Sequence, residues 1–206
     1  MSFLPDDVII SQSPLCINDS NIGYQTNFTL NGDVDGWDFI DGIYLYTVWM
    51  GMLFGNLYGD TGVIGRNSVL LPIDARKYYL FRIGIKYVPM ARGGSRVLPS
   101  KARVAWRTVA FPQWDSTKQK DFNIVADGKW HYYIINLGEA QYWQGTVNDL
   151  RIHLPLSNGV DGDKFYIRSI EILSIDQFEC TQFVCSYYDR YSHPCGGIGS
   201  RGYTQS

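Results

Sequence analysis

Charge is scarce in this chain: Asp, Glu, Lys and Arg make up 18% of its 206 residues, and the net charge is −2. Nucleic-acid binding needs a clustered excess of Lys and Arg that follows phosphates, so no nucleic-acid partner is expected. Histidine is rarer still. His131, His153 and His193 lie far apart, and no Ser-His-Asp or Cys-His arrangement has support in the sequence. Nowhere do about 18 apolar residues follow one another, which excludes a helical membrane span and a membrane partner of that kind. The start, Met1-Ser-Phe-Leu-Pro-Asp-Asp7, has neither the basic opening nor the apolar stretch of a secretion signal. The chain is therefore expected to be made in the cytoplasm without one.

Cysteine is limited to Cys16 near the start and Cys180, Cys185 and Cys195 near the end. In a reducing cytosol free thiols are the rule, and a disulfide needs a later oxidising environment. Cys180, Cys185, His193 and Cys195 are also of zinc-ligand type, although their spacing departs from paired Cys-x2-Cys knuckles. Disulfide, zinc and free thiol all stay open. Asn18-Asp-Ser20 and Asn27-Phe-Thr29 match the glycosylation sequon and, without a signal peptide, read as chance.

Aromatic residues and glycine are plentiful: 15 Tyr, 10 Phe, 6 Trp and 21 Gly. That composition favours β structure. The length suits one domain, which at this size buries about 70% of its unfolded surface. From Tyr79 to Val88, Tyr79, Phe81, Ile83, Ile85 and Tyr87 alternate with Leu80, Arg82, Gly84 and Lys86, a period of two that predicts a strand. Further strands are predicted at 103–109 and 121–125. Short alternating runs also follow turn residues in Asp127-Gly-Lys-Trp-His-Tyr-Tyr-Ile-Ile-Asn-Leu137, Trp143-Gln-Gly-Thr-Val-Asn-Asp-Leu-Arg-Ile-His-Leu154 and Lys164-Phe-Tyr-Ile-Arg-Ser-Ile-Glu-Ile-Leu173, as consecutive antiparallel strands do. In the apolar stretch from Ile43 to Leu57, Gly51 and Gly55 suit a bulged or sharply bent strand. Residues 1–30 read as an N-terminal arm or peripheral strand, 31–176 as the folded domain, and 177–206 as an irregular tail rich in Cys, Tyr and Gly.

The order Asp127-Gly-Lys-Trp130, Trp143-Gln-Gly145, Leu150-Arg-Ile152 and a closing strand resembles the galactose-binding-like jelly rolls of carbohydrate-binding modules. Gly55-Asn-Leu-Tyr-Gly59 and Ile73-Asp-Ala-Arg-Lys-Tyr78 are similar to the same family, so the resemblance spans about residues 35 to 175. It implies an all-β jelly-roll sandwich and places Trp130 and Trp143 in the core. It also implies a structural calcium near the first and last strands, for which Asp33, Asp35 and Asp176 are the candidates; turn chemistry alone also accounts for aspartates beside glycine. No other cofactor is expected. Trp37, Trp49 and Trp114 are left as candidate exposed platforms for sugar rings, with packing in a core or interface the plainer reading of each.

The polar sides of the predicted strands carry Arg82 and Lys86, Arg107, Asn136, Arg151 and His153, and Arg168 and Glu171. If these strands share one sheet, one face is dense in Arg, whose rigid fork suits sugar hydroxyls or a partner's carboxylates; a merely solvated face is the plainer reading. Catalysis is not expected, since no convergent carboxylates or nucleophile with its base can be placed. The ending Tyr191-Ser-His-Pro-Cys-Gly-Gly-Ile-Gly199 resembles C-terminal segments of tailed-bacteriophage structural proteins. Together with the arms, this leads to the expectation of a non-catalytic virion component, a capsid-decorating protein or tail or neck appendage, that assembles with itself and other virion proteins and touches host glycan. The alternative is a carbohydrate-binding module for a cell-surface polysaccharide.

Overall fold

From Leu80 to Val88, Phe81, Ile83, Ile85 and Tyr87 are at most 1% exposed, while Arg82 and Lys86 between them are half-buried on the other side. This is the alternation the sequence predicts, and it recurs through the molecule. The computed structural model describes residues 8–10, 22–67, 72–91 and 95–174. The strands are β1 (Val8–Ile10), β2 (Ile22–Thr26), β3 (Asp38–Asp41), β4 (Ile43–Trp49), β5 (Met52–Leu57), β6 (Val63–Asn67), β7 (Ile73–Asp74), β8 (Leu80–Val88), β9 (Lys101–Thr108), β10 (Gln119–Asn123), β11 (Trp130–Asn136), β12 (Thr146–His153) and β13 (Lys164–Leu173). They form two antiparallel sheets, the jelly-roll sandwich expected from the sequence. Sheet A runs β1-β11-β8-β13-β5-β4 with β2 also paired to β13, and sheet B runs β10-β9-β12-β6-β3 with β7 also paired to β12.

Inward side chains of the two sheets meet in one core. Phe81, Phe165, Ile167 and Ile172 come from sheet A, and Val104, Trp106 and Ile152 from sheet B. Trp106 stands edge-on to Trp143, with ring centres 5.2 Å apart. Both indole N–H groups donate to backbone carbonyls, Trp106 to Tyr142 and Trp143 to Tyr78, each at 3.0 Å, so neither buried donor is left unpaired.

Three expectations need revision. Trp143 is core, but Trp130 is half-buried on the outer face of sheet A. Strand parity explains this: Tyr133 and Ile135 point inward, and Trp130 stands an odd number of residues from both. Gly51 does not bend a strand. It closes the β4–β5 hairpin beside Met50, both with positive φ (73° and 53°), as a tight hairpin turn requires. Gly55 lies inside β5, where a Cβ would come 2.3 Å from the Phe165 ring; its role is to admit that ring. Finally, the domain boundary at 31 moves: the region read as an arm or a peripheral strand contributes β1, paired with β11, and β2, paired with β13, and Tyr24 and Phe28 are buried in the core. The sandwich thus takes in residues ahead of position 31. Residues 1–7, 11–21 and 175–206 lie outside the described residues, and with them Cys16, Asp176, Cys180, Cys185, His193 and Cys195.

Candidate functional site

On the outer face of sheet B, antiparallel register sets polar side chains in rows. Arg103 is opposite Asp121 on β10 and His153 on β12; Ala105 is opposite Gln119 and Arg151; Arg107 is opposite Asp149. Inward neighbours Val104, Trp106, Leu150 and Ile152 fix which way these residues point, since each is at most 3% exposed. The strands therefore hold Arg103, Arg107, Arg151 and His153 on one rigid surface.

Two of the arginines are neutralised. Arg107 donates to Asp149 from Nε at 3.0 Å and lies 2.7 Å from it through Nη2, while Arg103 makes a two-nitrogen contact with Asp121, the longer arm at 3.1 Å. Arg151 meets no carboxylate among the described residues, and its buried Nε has no hydrogen-bond partner there. Burial, and then the neighbouring Arg107 charge, push its pKa down. His153 is half-buried; burial first, then Arg103 and Arg151, lower its pKa below 6.5, so at neutral pH it is an uncharged hydrogen-bonding group.

Above these rows the β9–β10 connection places Trp114. The guanidinium carbon of Arg151 is 4.0 Å from the centre of its ring and that of Arg107 is 4.9 Å. The connection is tied down at several points. Asp115 accepts from the Thr117 amide at 2.9 Å and from the Thr117 hydroxyl, and pairs with Lys118 Nζ at 2.8 Å. Lys118, 3% exposed, also donates to the Phe111 carbonyl, and Arg107 Nη1 donates to that of Pro112. The Lys118 contact, with those of Thr117, lowers the Asp115 pKa to about 2. Trp114 is thus a half-buried aromatic held in a fixed loop over two guanidinium groups, a geometry suited to cation–π contact.

The other candidates fall elsewhere. Trp37 is 1% exposed, turned inward by a Val34–Trp37 backbone turn, and donates from Nε1 to the Tyr24 hydroxyl at 2.8 Å; it is no platform. Trp49 is 61% exposed at the β4–β5 tip. Arg82 and Arg168 belong to the outer face of sheet A, across the sandwich from Arg107 and Arg151. Arg82 is 2.6 Å from Glu171, and Arg168 lies over Trp130. The arginines therefore divide between two faces. Asp33 accepts from the Asp35 amide at 2.8 Å, and Asp35 stands 3.9 Å from Arg66. No group of three or more metal-ligating side chains occurs among the described residues. Asp121, Asp149 and Gln119 complete the sheet B face and were not singled out from the sequence; their signal is their place opposite Arg103, Arg107 and Ala105, which needs the register.

No protein-family model and no curated protein matches the chain. Among solved structures, similar ones include a low-affinity xylan-binding module of Roseburia intestinalis at 8% identity and TM-score 0.44, covering 70% of this chain and 92% of that one. A carbohydrate-binding module studied for specific mannan recognition shares 14% identity at TM-score 0.44 over 74% of this chain and 96% of that one. An arabinose-bound α-L-arabinofuranosidase shares 11% identity at TM-score 0.48, with 76% of this chain and 27% of that one covered.

Proposed function

We propose that this chain is a non-catalytic glycan-binding module and that the outer face of sheet B receives the glycan. The observation that carries this reading is Trp114 fixed over the guanidinium of Arg151, a cation with no carboxylate partner among the described residues. Around it, Arg103, Asp121, Gln119, His153 and Asp149 offer rigidly placed donors and acceptors, which hydroxyl-rich ligands use for orientation while an aromatic ring takes an apolar sugar face. The motif resemblance over about residues 35 to 175 supports the same reading, with a cell-surface polysaccharide as the ligand class. The test is a glycan array followed by affinity electrophoresis with the best polysaccharide. Trp114→Ala and Arg151→Ala are expected to lose retention while keeping their thermal midpoints; undiminished retention in both overturns the proposal.

Self-association, which the second reading of a bacteriophage virion component requires, is favoured by one feature. Leu30, Trp49 and Met50 are 65%, 61% and 68% exposed, and the Met50 amide, donating to Asn31 Oδ1 at 2.9 Å, gathers them at one tip. Clustered exposed apolar side chains mark contact surfaces. Sedimentation of the wild type and Trp49→Ser tests it: a concentration-dependent oligomer that the substitution dissolves is expected, and a monomer at all concentrations contradicts it.

A further inference from the structure

On the outer face of sheet A, the register sets Trp130 of β11 opposite Lys86 of β8, Lys86 opposite Tyr166 of β13, and Tyr166 opposite Phe54 of β5. With strands about 4.8 Å apart, this row of ring, ammonium, ring and ring crosses roughly 14 Å of sheet. Lys86 Nζ sits 5.4 Å from the Tyr166 ring centre, and the Tyr166 and Phe54 rings are 5.1 Å apart. In the adjoining row Tyr132 is opposite Gly84. A Cβ on Gly84 would be 2.8 Å from the Tyr132 ring, so glycine is what lets this ring approach the sheet. Arg168, from the irregular part of β13, reaches past β8: its guanidinium lies 4.9 Å over Trp130, and Nη1 donates to the Tyr132 hydroxyl at 3.4 Å.

Every other described arginine except Arg151 has a carboxylate within 4 Å. Arg168 and Lys86 have none among the described residues, and the acid on this face, Glu171, is 1% exposed and already paired with Arg82. Their flat or apolar sides rest on rings, which leaves the N–H edges for a ligand. A guanidinium has five donors, and Arg168 uses one of them, so a two-oxygen anion can still be held in its plane. We propose that this face is a second binding site, for a carboxylate-bearing polysaccharide of the uronate type, with Arg168 and Lys86 holding carboxylates and Tyr166 and Phe54 supporting the sugar rings.

Nucleic acid fits less well. Its phosphates bring a charge every 1.7 Å along a duplex toward a chain of net charge −2. A uronate chain carries one carboxylate per sugar. The site is on the opposite side of the sandwich from Trp114, and the proposal does not depend on the one made for that face.

The test is affinity electrophoresis of the full chain in gels containing polygalacturonate, with neutral galactan gels and poly-glutamate or oligo-dT as competitors. Arg168→Gln and Lys86→Gln are each expected to weaken retention by polygalacturonate about tenfold, while Arg76→Gln, which removes an exposed charge already paired with Asp74, leaves it unchanged and galactan gives no retention through this face; Arg151→Gln is run beside them. Thermal midpoints of all four variants are read alongside; should one sheet A variant fold poorly, the other decides. Retention that survives both sheet A substitutions, is lost instead with Arg151→Gln, or is competed equally by poly-glutamate or oligo-dT overturns the proposal.

Discussion

Arg151 on strand β12 holds its guanidinium 4.0 Å over the ring of Trp114, which comes from the β9–β10 connection. The indole covers one flat side of the cation, and Arg107, itself engaged with Asp149, lies against the same ring at 4.9 Å. A part-buried cation that forms no ion pair with a carboxylate among the described residues is costly to fold around, and clusters of charge with perturbed titration gather at functional sites. Here the cost coincides with a fixed aromatic ring and a row of hydrogen-bonding groups.

Trp106→Ala is expected to destabilise the protein by about 3–5 kcal/mol, because the indole is fully buried and its loss opens a cavity. Trp130→Ala, at a half-buried outer position, is expected to lower stability by about 1 kcal/mol. Urea unfolding of both variants checks this; equal losses would contradict the assigned parity of β11.

Asp163 is fully buried and accepts from the Tyr87 hydroxyl at 2.8 Å, the Met90 amide at 2.6 Å, the Val160 amide at 3.1 Å and both terminal nitrogens of Arg96, at 3.1 and 2.8 Å. Burial raises its pKa, but Arg96 and the other donors outweigh that and hold it below 3.8. A folded-state pKa below the unfolded one gives stability that is present above the unfolded value and lost as pH falls through the folded one. Asp163→Asn is therefore expected to cost about 3–5 kcal/mol at pH 7, a gap that narrows in unfolding measurements below about pH 4. A gap independent of pH would contradict the account.

Gly55→Ala is expected to cost about 1–3 kcal/mol by overpacking, since the added carbon would meet the Phe165 ring at 2.3 Å. The double change Gly55→Ala with Phe165→Leu should recover part of the loss by making room. Thermal unfolding reads both, and no rescue would mean that the ring is not the obstacle.

His153 is expected to titrate below 6.5 in proton NMR, given burial and the charges of Arg103 and Arg151. Because its folded pKa is depressed, its contribution to stability is present above about pH 6.5 and lost as pH falls through the folded value. A titration midpoint above 6.5 would contradict the placement.

Strands whose alternation is clean, such as β8 with Phe81, Ile83, Ile85 and Tyr87 inward, were legible because period two is a local property. So was the outward direction of Arg107, Arg151 and His153. Which sheet each strand joins is not local: Arg82 and Arg168 read from the sequence like Arg107 and Arg151, and only the pairing of β8 with β13 and of β9 with β12 separates them. Packing was the plainer reading of Trp37 from the sequence, but what seats it in the core, a hydrogen bond to Tyr24 from β2, is a tertiary contact. Trp130 is different: the parity of Tyr133 and Ile135 held the answer in the sequence, and the family resemblance pointed away from it.

The central claim, that the outer face of sheet B receives the glycan, is tested most directly by NMR titration with the polysaccharide that the array identifies, following backbone amides and the indole N–H signals. The account predicts shifts at the Trp114 indole and along β9 and β12 around Arg103, Arg107, Arg151 and His153, with the buried indoles of Trp37, Trp106 and Trp143 unmoved. Shifts confined to the Trp49 tip or to sheet A, with Trp114 silent, would contradict it.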